Sequence, residues 1–121
     1  MGDAVRRLYV CGSFRFADQM SELETRLREE SVEYQMSKEI DNRGILGCLK
    51  KIDDADVVYV VNPEGYIGKS VCVDIGYAYA RNKLICVMHS IDDPSIMDMI
   101  HGILSFEELV SFLKRGHTKK R

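Results

Sequence analysis

The sequence predicts an α/β protein with a doubly wound, flavodoxin- or Rossmann-like sheet of five parallel strands and helices on both faces. Short apolar runs alternate with segments of helical periodicity along the chain, which is the order of successive β-α units with right-handed crossovers. The clearest run, residues 57–61 (VVYVV), contains no polar residue. Such a run is typical of a strand that is buried on both faces of a parallel sheet.

The first half of the chain contains two predicted β-α units. Residues 7–11 (RLYVC) form an apolar run that Gly12 ends, and residues 16–30 carry apolar side chains every three or four positions. Residues 32–36 alternate apolar and polar side chains, which predicts a weaker strand. A second amphipathic helix follows the turn signal at 41–44, and four apolar residues mark it: Ile45, Leu46, Leu49 and Ile52.

The second half begins with the central strand, 57–61, and a connection over 62–69. Ser70 is the predicted N-cap of a helix over 71–81, and Asn82 offers its C-terminal stop. The later elements are a buried strand at 84–88 (LICVM), a short helix at 96–100, a brief edge strand at 103–104 and a closing helix at 106–114.

Length and composition predict one domain over residues 1–121, with 116–121 as a short basic tail. Apolar residues make up 45% of the chain and charged residues 30%, which is ordinary for a soluble protein. The net charge of −2 gives no electrostatic footprint for a nucleic acid polymer. The sequence shows no signal peptide and no apolar run that could span a bilayer, so we expect a cytoplasmic protein without a membrane partner.

The four cysteines are spaced too far apart for a C-x-x-C pair, so neither a zinc site nor a redox motif is indicated. We expect them to be reduced thiols. The chain also lacks the G-x-x-x-x-G-K-[ST] and G-x-G-x-x-G motifs, which leaves ATPase and dinucleotide-binding functions without support. We therefore expect no metal and no cofactor.

Ligands of open parallel sheets bind outside the carboxyl ends of the strands, and the segment after the first strand carries suitable residues there. Gly12 lets the backbone approach a ligand closely, and Ser13 can donate to an anion with the free N–H groups of the next helix. Arg15 adds a forked donor that suits phosphate or carboxylate. A Gly-Ser turn that only caps a helix is an equally good interpretation.

A second candidate segment is residues 62–76 (NPEGYIGKSVCVDIG), whose connection is longer than usual for a β-α unit. Asn62, Gly68 and Tyr66 are candidate substrate-binding residues, and Tyr66 with the loop glycines can enclose a flat ring. Ser70 opens the next helix, and Asp74 lies one turn later on the same helix face.

Asp74 is the candidate catalytic residue, because a carboxylate at this edge can be a nucleophile, a base or a hydroxyl-binding group. The alternative is that Asp74 favours the positive helix end or solvates an exposed turn. Its apolar neighbours indicate partial burial, which favours a functional role. His89 ends the fourth predicted strand, and there a structural role is the better interpretation.

Three segments resemble the nucleoside 2-deoxyribosyltransferases, and among them the 2'-deoxynucleoside 5'-phosphate N-hydrolases. They are LYVCGSFR (8–15), ADVVYVV (55–61) and SVCVDIGYAYARNKLICVM (70–88), and the resemblance covers residues 7–90. It implies that Asp74 takes the place of the catalytic glutamate, which attacks the anomeric carbon and forms a glycosyl-enzyme ester.

The resemblance also implies a phosphate loop, a substrate loop and an assembly. The 5'-phosphate would lie at Gly12, Ser13 and Arg15, and the substrate loop would comprise 66–68 and Ser70. Members commonly form homodimers or larger oligomers, in which a neighbouring subunit helps to complete the pocket.

Two positions depart from the family pattern. Aspartate is one methylene shorter than glutamate, and a misplacement of about 1 Å can cost about 100-fold in rate. Cys48 stands where the family has a second acid in the helix before the central strand.

The function that the sequence favours is an enzyme, an N-glycoside hydrolase or transferase that acts on (deoxy)nucleosides or their 5'-monophosphates through Asp74. Its partner would be a small molecule, and we expect a homodimer or larger homo-oligomer. One alternative is a non-catalytic nucleotide-binding or sensing module with the same fold. Another is a scaffold whose cleft is vestigial.

Overall fold

The computed structural model describes residues 6–37 and 44–115. Within them, five parallel strands form one sheet in the order β2-β1-β3-β4-β5. The strands are β1 (Leu8–Gly12), β2 (Tyr34–Met36), β3 (Val57–Val61), β4 (Leu84–Val87) and β5 (Gly102–Ile103). The α-helices are α1 (Ala17–Glu29), α2 (Gly44–Asp54), α3 (Lys69–Ala80), α4 (Pro94–Met97) and α5 (Phe106–Arg115).

The helices cover both faces of the sheet, which confirms the doubly wound α/β prediction. One apolar core joins the sheet to α1 and α5, through residues such as Leu23 and Leu109. The other joins it to α2 and α3, through residues such as Ile52 and Ile75. Every residue of β1 and β3 is buried, because side chains of both strands point alternately into the two cores.

The strand order reverses between β1 and β3. The chain moves outward from β1 to β2, then returns past β1 to β3 and continues to β4 and β5. The connections that leave β1 and β3 therefore lead to helices on opposite faces of the sheet, and they separate at the carboxyl edge. Such a reversal leaves a crevice between the two loops, which is the usual ligand site in this architecture.

Several predicted boundaries differ from the structure. The short helix predicted at 96–100 is α4, Pro94–Met97, because the Asp93 side chain caps its start, and the edge strand predicted at 103–104 is β5, Gly102–Ile103.

Two others concern β2 and α3. The second strand begins at Tyr34, because Val32 takes part in the turn that ends α1: its N–H donates to the Leu27 carbonyl, and Ser31 takes a positive φ of 57°. Ser70 is not the N-cap of α3. That helix begins at Lys69, and the N-cap position is taken by Gly68, whose backbone is extended.

The predicted end of α3 is confirmed. Asn82 adopts a positive φ of 63°, and the N–H of Lys83 donates to the Ala78 carbonyl, a pattern that terminates helices. Residues 41–43 of the predicted turn and the predicted tail at 116–121 lie outside the described residues. None of the helices in 6–37 and 44–115 has the length and apolar character that a bilayer crossing requires.

Candidate functional site

A cavity of about 530 Å³ opens at the carboxyl edge of β1 and β3, where the strand order reverses. Its walls come from the ends of β1 and β2, the start of α2, and the β3–α3 loop with the first turns of α3. Six of the eight site residues predicted from the sequence line it: Gly12, Ser13, Tyr66, Gly68, Ser70 and Asp74.

Asp74 is the buried acid of this cavity. It lies in the second turn of α3, its exposed fraction is 3%, and its Oδ1 atom has no hydrogen-bond partner among the described residues. Burial raises the pKa of this carboxyl to about 7, and a hydrogen bond from the Cys11 thiol offsets part of the rise. The carboxyl is therefore close to half ionised at neutral pH.

The groups packed around Asp74 remain neutral at that pH. Burial, followed by the negative charge of Asp74, raises the pKa of the Cys11 thiol well above its usual range. Burial also raises the pKa of the Tyr9 hydroxyl, with smaller effects from Cys11 and Asp74. Cys48 lies on the cavity wall. Among Tyr9, Cys11 and Asp74, the aspartate is thus the group that can change charge in the physiological range.

The Gly-Ser turn after β1 has a structural role as well as a place on the cavity wall. A Cβ atom on Gly12 would lie 2.8 Å from the Val61 carbonyl oxygen, so glycine is required where β1 and β3 approach each other. The Ser13 Oγ accepts a hydrogen bond from the Arg15 N–H at 3.4 Å and caps the short 3₁₀ turn that follows. Both interpretations of this turn therefore have support.

Arg15 and Tyr66 join the two loops that flank the cavity. The guanidinium carbon of Arg15 lies 4.1 Å from the centroid of the Tyr66 ring, and Phe16 packs edge-on against the same ring. Arg15 itself is exposed and stacks on a residue of the cavity wall. A role of Arg15 in anion binding stays a prediction.

Asn62 lies apart from the cavity wall and holds the β3–α3 loop in place. It is fully buried, its Nδ2 donates to the His89 carbonyl at 2.8 Å, and its Oδ1 accepts from the Met88 and His89 N–H groups. These bonds tie the loop to the end of β4. His89 is exposed and lines a separate cavity of about 360 Å³ beside α1 and α5.

Sequence reasoning missed two polar residues of the cavity wall, Ser37 and Lys69. Ser37 directly follows β2, so it reaches the same carboxyl edge as the residues after β1 and β3. Lys69 is the first residue of α3 and precedes Ser70. Both residues lie next to the end of a predicted strand or the start of a predicted helix, and this position could have indicated that they reach the cavity. Apolar wall residues complete the cavity: Phe14, Ile45 and Val71.

Metal-ligating side chains do not cluster within the described ranges. Histidine, cysteine, aspartate and glutamate nowhere form a group of three that could hold a metal ion there.

Neither a family model nor a curated protein matches this chain. Solved structures do. A conserved protein from Enterococcus faecalis matches with a TM-score of 0.71 and 15% identity, over 93% of this chain and 99% of that one. A 2-deoxyribosyltransferase from Bacillus psychrosaccharolyticus matches with a TM-score of 0.65 and 16% identity, over 88% and 95%. A CMP N-glycosidase from Clostridium botulinum matches with a TM-score of 0.58 and 14% identity, over 91% and 99%.

The chain has a nucleoside 2-deoxyribosyltransferase-like fold. At these identities the likeness concerns the path of the backbone, and the function has to be argued from the site itself.

Proposed function

We propose that this protein is an N-glycoside hydrolase or transferase that acts on nucleoside 5'-monophosphates, with Asp74 as the nucleophile. The observation that carries the proposal is a buried carboxyl with an unpartnered oxygen on the wall of a cavity of about 530 Å³. A buried carboxyl with an unpaired oxygen is costly, so its presence on a cavity wall favours a chemical role. Two of the proteins with a similar fold are a CMP N-glycosidase and a 2-deoxyribosyltransferase, which agrees with this assignment.

The reaction follows from the placement of the acid. A carboxylate oxygen of Asp74 attacks the anomeric carbon of the sugar, the C–N bond breaks, and the base leaves with the bonding electron pair and takes up a proton. Water then attacks the anomeric carbon of the ester and releases the sugar phosphate and the carboxylate. In a transferase, a second base takes the place of water.

The phosphate end of the substrate would lie between the two loops that border the cavity. Ser13 and the first residues of α3 line the cavity, and a helix N-terminus favours an anion. Lys69 on the cavity wall and Arg15, which stacks on Tyr66, add two positive side chains, and guanidinium groups bind phosphate with paired hydrogen bonds.

Incubation with ribo- and deoxyribonucleoside 5'-monophosphates, followed by chromatography of the released base, tests the proposal. The wild-type protein should release base, and Asp74→Asn should reduce the rate by at least about 100-fold, the scale expected for loss of a positioned reacting group. Asp54→Asn is the matched control, because Asp54 is an exposed acid in α2. Absence of release by the wild type, or equal release by Asp74→Asn, would refute it.

A non-catalytic nucleotide-binding module is the second candidate, and the raised pKa of Asp74 favours it. A carboxyl whose pKa is about 7 is partly protonated at neutral pH, and a protonated carboxyl is a poor nucleophile but a good hydrogen-bond donor. Calorimetry distinguishes the two functions. A sensor would bind a nucleoside monophosphate without any release of base, whereas the enzyme would show both.

We also propose that a second copy of the chain covers the apolar surface beside the cavity. Leu46 of α2 is 67% exposed and Val73 of α3 is 50% exposed, and Ile45 of the same surface lines the cavity. Exposed apolar residues that adjoin a functional cavity are typical of an interface. A subunit bound there would complete the wall of the cavity near the start of α2.

A further inference from the structure

Two buried polar atoms face the cavity from different elements without hydrogen-bond partners among the described residues. They are the Ser37 Oγ, after β2, and the Asp74 Oδ1, in α3. The exposed fractions of these residues are 7% and 3%. Ser37 is held firmly at this place, because its N–H donates to the Val10 carbonyl at 3.0 Å and continues the pairing of β1 with β2.

Unpaired buried polar atoms need an explanation, since most buried polar groups in proteins have a partner. Each such atom costs about 1–3 kcal/mol. A structural role does not account for the Ser37 hydroxyl, because no described residue uses it. The Tyr9 hydroxyl is also unpaired but does not line the cavity, whereas Ser37 and Asp74 both do, so these two atoms are the ones that a ligand in the cavity could reach.

We propose that Ser37 is a specificity-determining residue that binds a sugar hydroxyl and selects ribonucleoside over 2'-deoxyribonucleoside 5'-monophosphates. This inference rests on the proposed function. When the other oxygen of Asp74 faces the anomeric carbon, its Oδ1 can accept from the C3' hydroxyl of the sugar ring, and the Ser37 Oγ can pair with the C2' hydroxyl. The ring of a ribonucleotide carries two hydroxyls, at C2' and C3', whereas the ring of a 2'-deoxyribonucleotide carries one.

A deoxyribonucleotide would leave one of the two buried atoms unpaired after it has filled the cavity. A site with buried polar groups rejects an analogue that lacks the matching hydroxyl, since the protein group then stays both desolvated and unpaired. Selection for ribose thus follows because the cavity holds two unpaired polar atoms, and only ribose carries two ring hydroxyls that can pair with them.

Calorimetric titration with ribose 5-phosphate and with 2-deoxyribose 5-phosphate tests this inference without any bond cleavage. The wild-type protein should bind ribose 5-phosphate about 10-fold more tightly, which corresponds to one hydrogen bond of about 1.4 kcal/mol. Ser37→Ala should lose this preference through weaker binding of ribose 5-phosphate alone. Ser111→Ala, an exposed serine of α5, should keep it.

Equal affinity of the wild type for the two sugars, a preference for the deoxy sugar, binding of neither, or an unchanged preference in Ser37→Ala would overturn the inference. Thermal unfolding of Ser37→Ala checks that the variant folds, and we expect no loss of stability because the hydroxyl has no partner to lose. The proposed function fails separately. If the ribose preference depends on Ser37 but no base is released, the enzyme proposal is wrong and the inference on sugar selection stands.

Discussion

The guanidinium of Arg15 lies over the ring of Tyr66, 4.1 Å from its centroid, and this contact joins the loop after β1 to the loop after β3. The two loops diverge to opposite faces of the sheet, so the contact spans the crevice that the reversal of strand order creates. Tyr66 lines the cavity, and its stacking partner carries the positive charge to the cavity edge. A substrate that binds there as proposed would therefore also affect how the two loops are held together.

Replacement of Arg15 by alanine should weaken the binding of a nucleoside 5'-monophosphate by about 10-fold or more, through loss of a charge-assisted hydrogen bond to phosphate. Binding of the corresponding nucleoside, which has no phosphate, should change much less. Calorimetry with both ligands measures the difference. Arg6→Ala is the matched control, because Arg6 lies 4.2 Å from the centroid of the Phe112 ring, a stacking pair outside the cavity wall. An equal loss for nucleoside and nucleotide would contradict a phosphate role.

Gly65→Ala should destabilise the protein by about 3 kcal/mol or more. Gly65 has a φ of 84°, and a Cβ atom there would lie 2.5 Å from the Ser90 carbonyl oxygen. Both a positive φ and an overpacked contact with backbone cost free energy.

Gly76→Ala should have the opposite effect. Gly76 lies within α3, and a Cβ atom added there would meet no atom within 4 Å. The substitution should stabilise the protein by about 0.5–1 kcal/mol. Denaturant unfolding of both variants measures the difference, and equal stabilities would show that the strain assigned to the β3–α3 loop is wrong.

Asp74→Asn should change how stability depends on pH. The native pKa of Asp74, about 7, exceeds the ordinary value of 3.8, so the native state binds a proton that the unfolded chain has lost between those values. The stability that this proton contributes is complete below pH about 4 and is lost as the pH rises through about 7.

Above pH 7, the buried charge should therefore destabilise the wild type by up to about 4 kcal/mol, at about 1.4 kcal/mol for each pH unit between the two values. Asp74→Asn removes that charge, so its advantage over the wild type in the free energy of unfolding should grow between pH 4 and pH 7 and then level off. Parallel stability curves for the two proteins, measured by urea unfolding, would argue against a raised pKa.

Leu46→Glu should shift the protein toward the monomer if a second copy covers the apolar surface of α2 and α3. A charge at this 67% exposed position would be buried without a partner in the dimer, whereas it would be solvated in the monomer. Sedimentation velocity at several concentrations measures the change, with Ser111→Ala as a control on the distant helix α5. A wild type that is monomeric at all concentrations would exclude the assembly.

The architecture could be predicted from local patterns. The apolar run at 57–61 predicted both ends of β3 correctly. An apolar, mostly β-branched run between polar residues is typical of a strand that is buried on both faces of a parallel sheet. The place of Asp74 on the cavity wall also followed from short-range rules. A helix that begins after a parallel strand brings its first two turns to the carboxyl edge, and the spacing of four from Ser70 put both side chains on one face.

Long-range contacts explain what the sequence could not predict. Asn62 was assigned to substrate, yet its side chain is committed to backbone groups of residues 88 and 89, far along the chain. Ser37 was missed although the end of β2 was predicted correctly at residue 36, because the local pattern does not show that β2 lies beside β1 and brings the next residue to the cavity. The N-cap of α3 was predicted at Ser70, but the helix begins one residue earlier, at Lys69, and Gly68 in an extended conformation is its N-cap.

The pH dependence of kcat/KM for base release from a ribonucleoside 5'-monophosphate tests the central role of Asp74 most directly. A nucleophilic carboxylate must be ionised, so the rate constant should rise about 10-fold for each pH unit below pH 7 and level off above it. Asp74→Asn should show neither the rise nor the plateau rate. A wild-type profile that is flat from pH 5 to pH 8, or a variant that retains the wild-type rate, would contradict the assignment of Asp74 as the nucleophile.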